Sequence, residues 1–501
     1  MSLPATPRSR MGWLLGFLLI ARVLLLVVAP HTDPSESRYA EIARKMVETG
    51  DWITPQFDYG VPFWAKPPLS IWMSALGIAL FGVNEFGSRI FLFVAALMVL
   101  LLVSRAARRE LGRNASVAAP AFLMGMPLFF FCSAAVMTDI ALLLGTTLSM
   151  VCFREALRSG SRWSGYGFFA GLAIGLLAKG PLALVIVLPP LAGWVFLTRS
   201  IWRTWEKIPW ITGVLLMLAL SVPWYVAAER KTPGFIEYFL IGEHWKRFTV
   251  RGWQGDLYGN AHPVTPGMIW VYLALGSAPW CLGLLGLLPF RWQRFRLWAM
   301  DQDARGLYWV LWLLWPVAFF TSARNIIATY PLPALPALAL LLAGIPPQEG
   351  GLPFWKRFHP AGRLVVGMGV VLVCWAIVVT VIAPSHSPKH SERSLVQRFK
   401  KERKAGDLLI YYGPRKYSAE FYTDGSVLST TSANELLAAM DAPGRCFVAL
   451  PSWWMTMVPA PVKRRLKLVG SWGSGPSLYL ERTDMPDMAG IDPSKTSPIG
   501  N

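Results

Sequence analysis

The stretch IFLFVAALMVLLLVSRAARRELGR, residues 90–113, decides the fold class of this chain. The uninterrupted apolar run 90–103 is followed at once by Arg105, Arg108, Arg109 and Arg113. An apolar run that ends in clustered arginines is typical of a transmembrane helix with its end in the cytoplasm, because basic residues accumulate in cytoplasmic loops. The stretch therefore predicts a membrane protein.

The composition of the whole chain leads to the same class. Of the 501 residues, 54% are hydrophobic and 15% are charged, and the mean hydropathy is +0.42. Soluble domains carry about 25% charged residues, so this chain has too few charges to coat several soluble domains. The net charge of +19 would suggest a nucleic-acid partner in a soluble protein. In a membrane protein, basic cytoplasmic loops explain it better, and we expect no nucleic-acid partner.

The alternation of apolar runs with arginine-rich loops continues along residues 1–383 and predicts an all-α transmembrane domain of about 11–13 helices. The run Leu69–Phe81 is shorter than the roughly 20 residues that a straight span needs, so we expect an interfacial or re-entrant helix there. The alternation with arginine-rich loops predicts eleven other spans: 11–30, 90–103, 115–135, 140–153, 165–178, 182–197, 210–228, 266–290, 307–320, 326–345 and 364–383.

Three hydrophilic segments fall on the side of the membrane away from the arginine clusters. They are the loops 31–68 and 229–264 and the tail 384–501. The first loop has helical periodicity over residues 37–48. The tail has a helical segment at 394–404 and short strand patterns at 408–412, 446–450 and 478–480, which predict a small α/β domain.

The first loop carries carboxylates beside an arginine, at Asp33, Glu36, Arg38 and Glu41. Such groups at a membrane face are suited to acid–base work or to charge binding. The alternative is a solvated loop helix whose glutamates and arginine pair at helical spacing.

Single ionisable residues also stand at the edges of apolar runs. Lys66 and Lys179 are each suited to binding a lipid phosphate as a point charge, or to extending toward lipid headgroups with no further role. Arg324 is a third such cation. Asp139 is costly at a span edge and therefore a functional candidate, although aspartate is also a good helix N-cap.

The second loop holds Glu243, His244 and Arg247 within five residues. His244 is suited to general-base catalysis or metal ligation, with Glu243 as a second metal candidate, or it is a plain surface residue. The topology brings these groups and the other candidates to one membrane face. Their convergence predicts a site for an anionic, lipid-borne substrate.

An ordered series of motifs resembles the lipid A aminoarabinose transferase family, which belongs to the GT-C membrane glycosyltransferases together with the protein O-mannosyltransferases. The motifs are RYAEIAR at 38–44, GDWITP at 50–55, KPPL at 66–69, Asp139, KG at 179–180, EHWKRF at 243–248 and YPLP at 330–333. They cover most of residues 11–345.

The resemblance implies a GT-C fold, a polyprenyl-phosphate sugar donor and transfer on the periplasmic face. It assigns Glu36 and Asp139 as carboxylates near the reacting centre. Arg38, Lys66 and Arg247 would hold a phosphate that Tyr330 also hydrogen-bonds; His244 would line the pocket.

The chain departs from the family pattern at two positions. Ser35 stands where the family usually has an aspartate, and Asp33 or Glu36 is the expected substitute for that carboxylate. Ala65 stands where the family often has a glutamate that would help to bind a metal near His244. A divalent metal cofactor therefore stays an open question at this point.

The sequence thus predicts a multi-pass enzyme of the bacterial inner membrane that moves a sugar from polyprenyl phosphate to a lipid A/LPS-type or other envelope acceptor. Fixed cations would stabilise the phosphate leaving group. A hydroxyl acceptor would need a carboxylate base. The alternatives are a protein O-mannosyltransferase-like enzyme and a flippase or exporter of lipid-linked sugars, whose ionisable residues would lie near the bilayer midplane.

Overall fold

A computed structural model of the chain describes residues 7–259, 262–344, 391–442, 444–471 and 476–481, with backbone alone for 7–10, 282–302 and 481. The chain divides into two compact units. The first comprises Met1–Ala29 and Ile42–Ile382, and the second comprises Pro30–Glu41 and Ala383–Asn501.

The described residues before 345 form helices almost throughout. The helices are α1 (Pro7–Val28), α2 (Ser35–Thr49), α3 (Leu69–Phe81), α4 (Glu85–Leu111), α5 (Ala115–Met124), α6 (Pro127–Cys132), α7 (Asp139–Ser159), α8 (Arg162–Lys179), α9 (Leu182–Leu197), α10 (Ile201–Lys207), α11 (Trp210–Lys231), α12 (Phe235–Glu237), α13 (Arg247–Thr249), α14 (Met268–Gly276), α15 (Trp280–Thr321) and α16 (Leu335–Gly344). A π-helical segment, Tyr238–Lys246, joins α12 to α13, and a 3₁₀ turn, Leu332–Ala334, precedes α16. A short hairpin pairs β1 (Gln56–Asp58) with β2 (Val61–Pro62).

Among the described residues, five helical segments are long and apolar enough to cross a membrane. They are Met11–Val28, Glu85–Leu111, Asp139–Ser159, Trp210–Lys231 and Asp303–Thr321. Four shorter apolar helices accompany them: Leu69–Phe81, Ala115–Met124, Leu182–Leu197 and Leu332–Gly344. The 13-residue length expected for the first of these is confirmed.

Several predicted spans differ in detail from the observed helices. The run 115–135 is divided between α5 and α6, and the chain is extended at Met126, just before Pro127. Between the predicted runs 266–290 and 307–320 the chain is helical from Trp280 to Thr321, and the positive φ angles of Asp303 and Ala304 mark a break within that segment. The span predicted at 364–383 lies outside the described residues.

The pair α7 and α8 forms the most closely packed contact of the first unit, and glycines make it possible. A Cβ atom on Gly145 of α7 would lie 2.6 Å from the backbone nitrogen of Gly175 in α8. One on Gly171 would lie 2.6 Å from the carbonyl oxygen of Gly145. Small residues let the two helix backbones touch. This contact fixes the first residue of α7 beside the last residue of α8.

The second unit contains a five-stranded sheet. Its strands are β3 (Leu408–Tyr412), β4 (Leu428–Thr430), β5 (Cys446–Pro451), β6 (Leu466–Ser471) and β7 (Pro476–Glu481), in the order β4-β3-β5-β7-β6. The first three strands are parallel, and β7 runs antiparallel to both β5 and β6. Its helices are α17 (Arg393–Glu402), α18 (Tyr417–Tyr422), α19 (Ala433–Met440) and α20 (Ala460–Arg465). A 3₁₀ segment, Ser452–Met457, follows β5.

Strand β5 is buried on both faces, which explains its continuous apolar run. Phe447 and Ala449 belong to one hydrophobic cluster, whereas Val448 and Leu450 belong to another. Successive side chains of a strand point to opposite faces, so helices on both sides must cover this one. The three predicted strands and the predicted helix near 394–404 all coincide with observed elements within two residues.

Candidate active site

A cavity of about 400 Å³ lies in the first unit, where the ends of α8 and α15 meet the π-helical segment. Leu182, Val185, Leu240, Trp245 and Phe319 are among its apolar walls. Seven polar or charged residues also line it: Lys66, Lys179, Glu243, His244, Arg247, Asn325 and Tyr330. A mostly apolar cavity with a few convergent polar groups is typical of a ligand site.

Lys66 enters the cavity from the loop between β2 and α3. Its Nζ donates to Oε2 of Glu243 at 2.6 Å and to the carbonyl oxygen of its neighbour Ala65 at 2.6 Å. The Lys66 side chain is 22% exposed, and the Glu243 side chain is 1% exposed. Lys66 is therefore held by an ion pair with Glu243. It does not extend away from the cavity, as a lysine that only reaches toward lipid headgroups would.

Glu243 and Arg247 lie one helical turn apart, at the end of the π-helical segment and the start of α13. Arg247 Nη1 donates to both Glu243 oxygens, at 3.1 and 3.2 Å, and to Asp256 Oδ2 at 3.2 Å. Burial by itself raises the pKa of Glu243, but the charges of Lys66 and Arg247 outweigh it and hold that pKa below its ordinary value. Glu243 therefore stays ionised and holds two cations at the cavity.

Asp139 and Lys179 form a second ion pair, where α7 begins and α8 ends. Lys179 Nζ donates to Asp139 Oδ1 at 2.8 Å, and the two side chains are 7% and 5% exposed. Thr138 occupies the N-cap position of α7, and no side chain accepts a capping hydrogen bond there. The interpretation of Asp139 as a helix cap is wrong, and so is that of Lys179 reaching toward headgroups.

Tyr330 completes the cavity beside this pair. Lys179 Nζ lies 5.2 Å from the centroid of the Tyr330 ring, within the range of a cation–π contact. The chain can turn sharply after Lys179 because Gly180 has φ +67°. A Cβ at Gly180 would also lie 2.6 Å from the ring of Phe239, so glycine is required there.

His244 is held by backbone carbonyls on both sides of its ring. Nδ1 lies 2.8 Å from the carbonyl oxygen of Phe239, and Nε2 lies 3.1 Å from that of Lys179. Burial lowers the pKa of His244, although the two carbonyls favour the protonated ring and oppose that change. Neither ring nitrogen points a free lone pair at the cavity.

A divalent metal does not fit the described residues at this position. Both nitrogens of His244 face carbonyls, the Glu243 carboxylate is shared by two cations, and Ala65 supplies no ligand. Nowhere in the described part of the chain do three His, Cys, Asp or Glu side chains form a group that could hold a metal ion.

Two site residues were missed by sequence reasoning, Asp256 and Asn325. Asp256 shares Arg247 with Glu243. The Asn325 side-chain amide donates to the carbonyl oxygens of Arg247 and Val250, at 2.6 and 2.7 Å. The sequence signal pointed to Arg324 instead, which is exposed.

The three candidates of the first loop, Asp33, Glu36 and Arg38, belong to the second unit. Both oxygens of Asp33 accept from Ser418, one from its backbone N–H at 3.0 Å and the other from its hydroxyl. Burial raises the pKa of Asp33, while Lys416 and Ser418 oppose that rise. The Asp33 carboxylate thus ties the first loop to helix α18 of the second unit.

Glu36 and Arg38 lie in the first turn of α2. The Glu36 carboxylate accepts from the backbone N–H of Thr32 at 3.3 Å and lies 3.5 Å from His31 Nδ1. Arg38 is half-buried, and its guanidinium lies 5.6 Å from the ring centroid of Tyr39. Glu36 therefore stabilises the start of its own helix.

Seven of the ten predicted site residues consequently meet at one place in the first unit. Lys66, Lys179, Glu243, His244, Arg247 and Tyr330 line the cavity, and Asp139 contacts it through Lys179. Together with the apolar helices, this arrangement defines a multi-pass membrane protein with clustered ion pairs at one cavity.

The chain is similar in sequence to two groups of known proteins. Residues 14–239 match the family model of dolichyl-phosphate-mannose-protein mannosyltransferases. An undecaprenyl phosphate-α-4-amino-4-deoxy-L-arabinose arabinosyl transferase of Aeromonas hydrophila is 32% identical over 65% of this chain, and one of Pseudomonas aeruginosa is 34% identical over 62%. The matched regions span 58% and 54% of those two relatives.

The crystal structure of ArnT from Cupriavidus metallidurans bound to undecaprenyl phosphate has the same fold. Its TM-score is 0.72 at 18% identity, over 94% of this chain and 98% of that chain. This chain therefore has the fold of that ArnT structure, and its sequence is similar to the aminoarabinose transferases and to the protein mannosyltransferase family model, the two families that its motifs resemble. The expected fold class, mostly helical with a small C-terminal sheet, is confirmed as well.

Proposed function

We propose that this chain transfers a sugar from a polyprenyl-phosphate donor to a lipid A/LPS-type or other envelope acceptor, on the periplasmic face of the bacterial inner membrane. The observation that carries the proposal is the cavity that combines apolar walls with Lys66, Lys179 and Arg247. A polyprenyl phosphate has the same two parts, an apolar chain and an anion. The similarity to aminoarabinose transferases supports the same donor class.

The cations would act on the leaving group. When the acceptor oxygen attacks the anomeric carbon, the bond to the phosphate oxygen breaks and negative charge develops on the departing polyprenyl phosphate. Lys66 and Arg247 are already held near the cavity by Glu243, so little rearrangement is needed to stabilise that charge. The Tyr330 hydroxyl group would donate a hydrogen bond to the same phosphate.

Asp139 has two possible tasks at the acceptor side. It would take the proton of a hydroxyl acceptor, or it would hold Lys179 in place through their 2.8 Å contact. The buried ion pair favours the second task. Asp33 and Glu36 remain the other predicted catalytic carboxylates, with Arg38 as a phosphate ligand. Their observed contacts in the second unit support structural roles for Asp33 and Glu36.

The test is turnover by the purified chain. Protein in detergent or nanodiscs is mixed with a polyprenyl-phosphate sugar and a lipid A acceptor, and release of polyprenyl phosphate is measured together with the glycosylated lipid. Release that depends on the acceptor is expected. Donor binding without release, combined with movement of labelled donor across vesicles, would replace the proposal with the flippase alternative.

A protein acceptor is the second candidate, because the family model matched is that of protein mannosyltransferases. Replacing the lipid acceptor with serine- and threonine-rich peptides tests it. Glycosylated peptide at rates above those with lipid would favour this alternative.

The proposed location requires residues 31–68, 229–264 and 384–501 to be periplasmic. Single cysteines introduced at exposed positions such as Tyr59, Trp245 and Trp453 should react with a membrane-impermeant maleimide in intact spheroplasts. A cysteine in the tail that reacts only after the membrane is broken would overturn the shared periplasmic location.

A further inference from the structure

A second cavity, of about 290 Å³, lies in the first unit at the far end of helix α7. Helix α7 begins with Asp139 at the candidate active site and ends at Ser159 beside this cavity. Its 21 residues span about 30 Å, which is about the thickness of the hydrocarbon core of a bilayer. The two cavities therefore lie at opposite ends of α7, about as far apart as the two faces of a membrane.

The walls of the second cavity divide into an apolar part and a charged part. Met150, Trp309, Trp312 and Leu340 contribute apolar surface. The charged part comes from the last turns of α4 and α7, the helix ends that carry the arginine clusters. The cavity is thus amphipathic, like the headgroup region of a lipid.

Two arginines of α4 converge on one carboxylate of α7. Arg105 makes a bidentate contact with Glu155, with Nη2 to Oε1 at 2.7 Å and Nε to Oε2 at 3.1 Å. Arg109 also contacts Glu155 Oε1. The Glu155 side chain is only 8% exposed, whereas those of Arg105 and Arg109 are about half exposed, at 54% and 48%.

Conversely, two arginines of α7, Arg154 and Arg158, contact one carboxylate of α4, that of Glu110. Arg154 Nε lies 3.2 Å from Glu110 Oε1, and Arg158 Nη1 lies 3.0 Å from the same oxygen. The Glu110 and Arg154 side chains are both 7% exposed, and that of Arg158 is 40% exposed.

Four guanidinium groups thus face two carboxylates, which leaves an excess of positive charge among these side chains. The neighbouring pair Arg203–Asp303 is balanced and does not offset that excess. Arg109 and Arg158 are the half-exposed members of this group that line the cavity, and they are therefore the ones accessible to an anion there.

We propose that this cavity binds the phosphate headgroup of an anionic phospholipid from the leaflet opposite the candidate active site. Basic pockets between transmembrane helices at the cytoplasmic side are suited to such headgroups. Arg109 and Arg158 line the cavity and are 48% and 40% exposed, and their planar guanidinium groups are suited to paired hydrogen bonds with phosphate oxygens. The buried carboxylates Glu110 and Glu155 hold them in position.

The test measures lipid binding to the full-length purified protein by native mass spectrometry and by thermal stabilisation. The probes are dioctanoyl phosphatidylglycerol, dioctanoyl phosphatidylcholine and inorganic phosphate. Stabilisation by phosphatidylglycerol is expected to exceed that by either other probe. Arg109→Gln and Arg158→Gln should each weaken phosphatidylglycerol binding about fivefold, and the double variant should weaken it about 30-fold.

Arg113→Gln is the matched control, because Arg113 is an exposed arginine of the same cluster that does not line the cavity. It should leave binding within about twofold of the parent. Melting without lipid shows whether each variant is folded. Equal stabilisation by phosphatidylcholine, equal stabilisation by inorganic phosphate, or undiminished phosphatidylglycerol binding by the folded double variant would each overturn the proposal.

Discussion

Glu243 in the first unit and Glu392 in the second unit are equally buried carboxylates with opposite behaviour. Each side chain is 1% exposed. Lys66 and Arg247 hold the pKa of Glu243 below its ordinary value. Burial raises the pKa of Glu392 to about 7, because its cation Lys416 is 3.7 Å away and cannot offset the desolvation.

The comparison teaches that the number and distance of cations, and not burial alone, decide whether a buried carboxylate keeps its charge. The surroundings of Glu392 also include Asp33, a second carboxylate that raises its pKa further. Glu243 therefore keeps its negative charge near neutral pH, whereas Glu392 gains or loses a proton there.

The largest loss of transfer activity is expected from removing the carboxylate of the Asp139–Lys179 ion pair. Asp139→Asn should lower transfer by about 100-fold or more, because a proton acceptor is lost or because Lys179 is left buried without its partner. Transfer rates of purified variants, measured at equal amounts of folded protein, check this. Turnover within a few-fold of the parent would remove Asp139 from the mechanism.

A double-mutant cycle that combines Asp139→Asn with Lys179→Met distinguishes the two proposed roles of Asp139. If Asp139 only positions Lys179, adding Asp139→Asn to Lys179→Met should cost little more transfer. If Asp139 takes the acceptor proton, the two losses should multiply. The four transfer rates of this cycle give the answer directly.

The next largest loss of activity is expected from removing one of the two cations that pair with Glu243. Lys66→Ala and Arg247→Ala should each reduce donor affinity or turnover about 30-fold or more, because a partly dehydrated phosphate loses a charged partner. Lys246→Ala is the matched control, since Lys246 is exposed and adjacent to Arg247. Near-normal transfer by both cavity variants would show that the phosphate binds elsewhere.

The smallest effect concerns Glu392, and it is a change in pH dependence. The folded state holds a proton on Glu392 between the ordinary pKa, 4.5, and about 7. The contribution of Glu392 to stability should therefore be greatest below pH 4.5 and fall as the pH rises to about 7, by about 3 kcal/mol.

Glu392→Gln mimics the protonated carboxyl group and can still accept the hydrogen bond from Tyr411. Its melting midpoint should fall less than that of the parent between pH 5 and pH 8. Glu435→Gln, at an exposed glutamate of the same unit, is the control. Parallel pH curves for the parent and Glu392→Gln would refute the raised pKa.

Most polar residues that line the cavity could be predicted from the sequence, but their contacts with one another could not. Lys66 and Lys179 were identified because each is a cation at the edge of an apolar run, where a charge is costly. Arg247 was identified because it lies close to Glu243 and His244 in the second loop. Asp256 and Asn325 were missed because neither is a charged residue at the edge of an apolar run. Their involvement depends on contacts with Arg247 that only folding creates.

The first loop shows the opposite failure. Its carboxylates resembled a catalytic pair, yet Asp33 bonds Ser418, 385 residues later in the chain. No local pattern records such a distant partner. Catalytic roles for Asp33 and Glu36 stay predictions.

The sequence by itself determined that this chain is a multi-pass membrane protein, because hydrophobicity and arginine placement act through composition and order alone. The ordered motifs likewise predicted the fold that the chain shares with the ArnT structure. Only the tertiary structure decided which charges meet. Lys66 and Glu243 are 177 residues apart in sequence and 2.6 Å apart in space. Electrostatic energies depend on distance and surrounding dielectric, so the charge state of each carboxylate follows from packing and not from its neighbours in the chain.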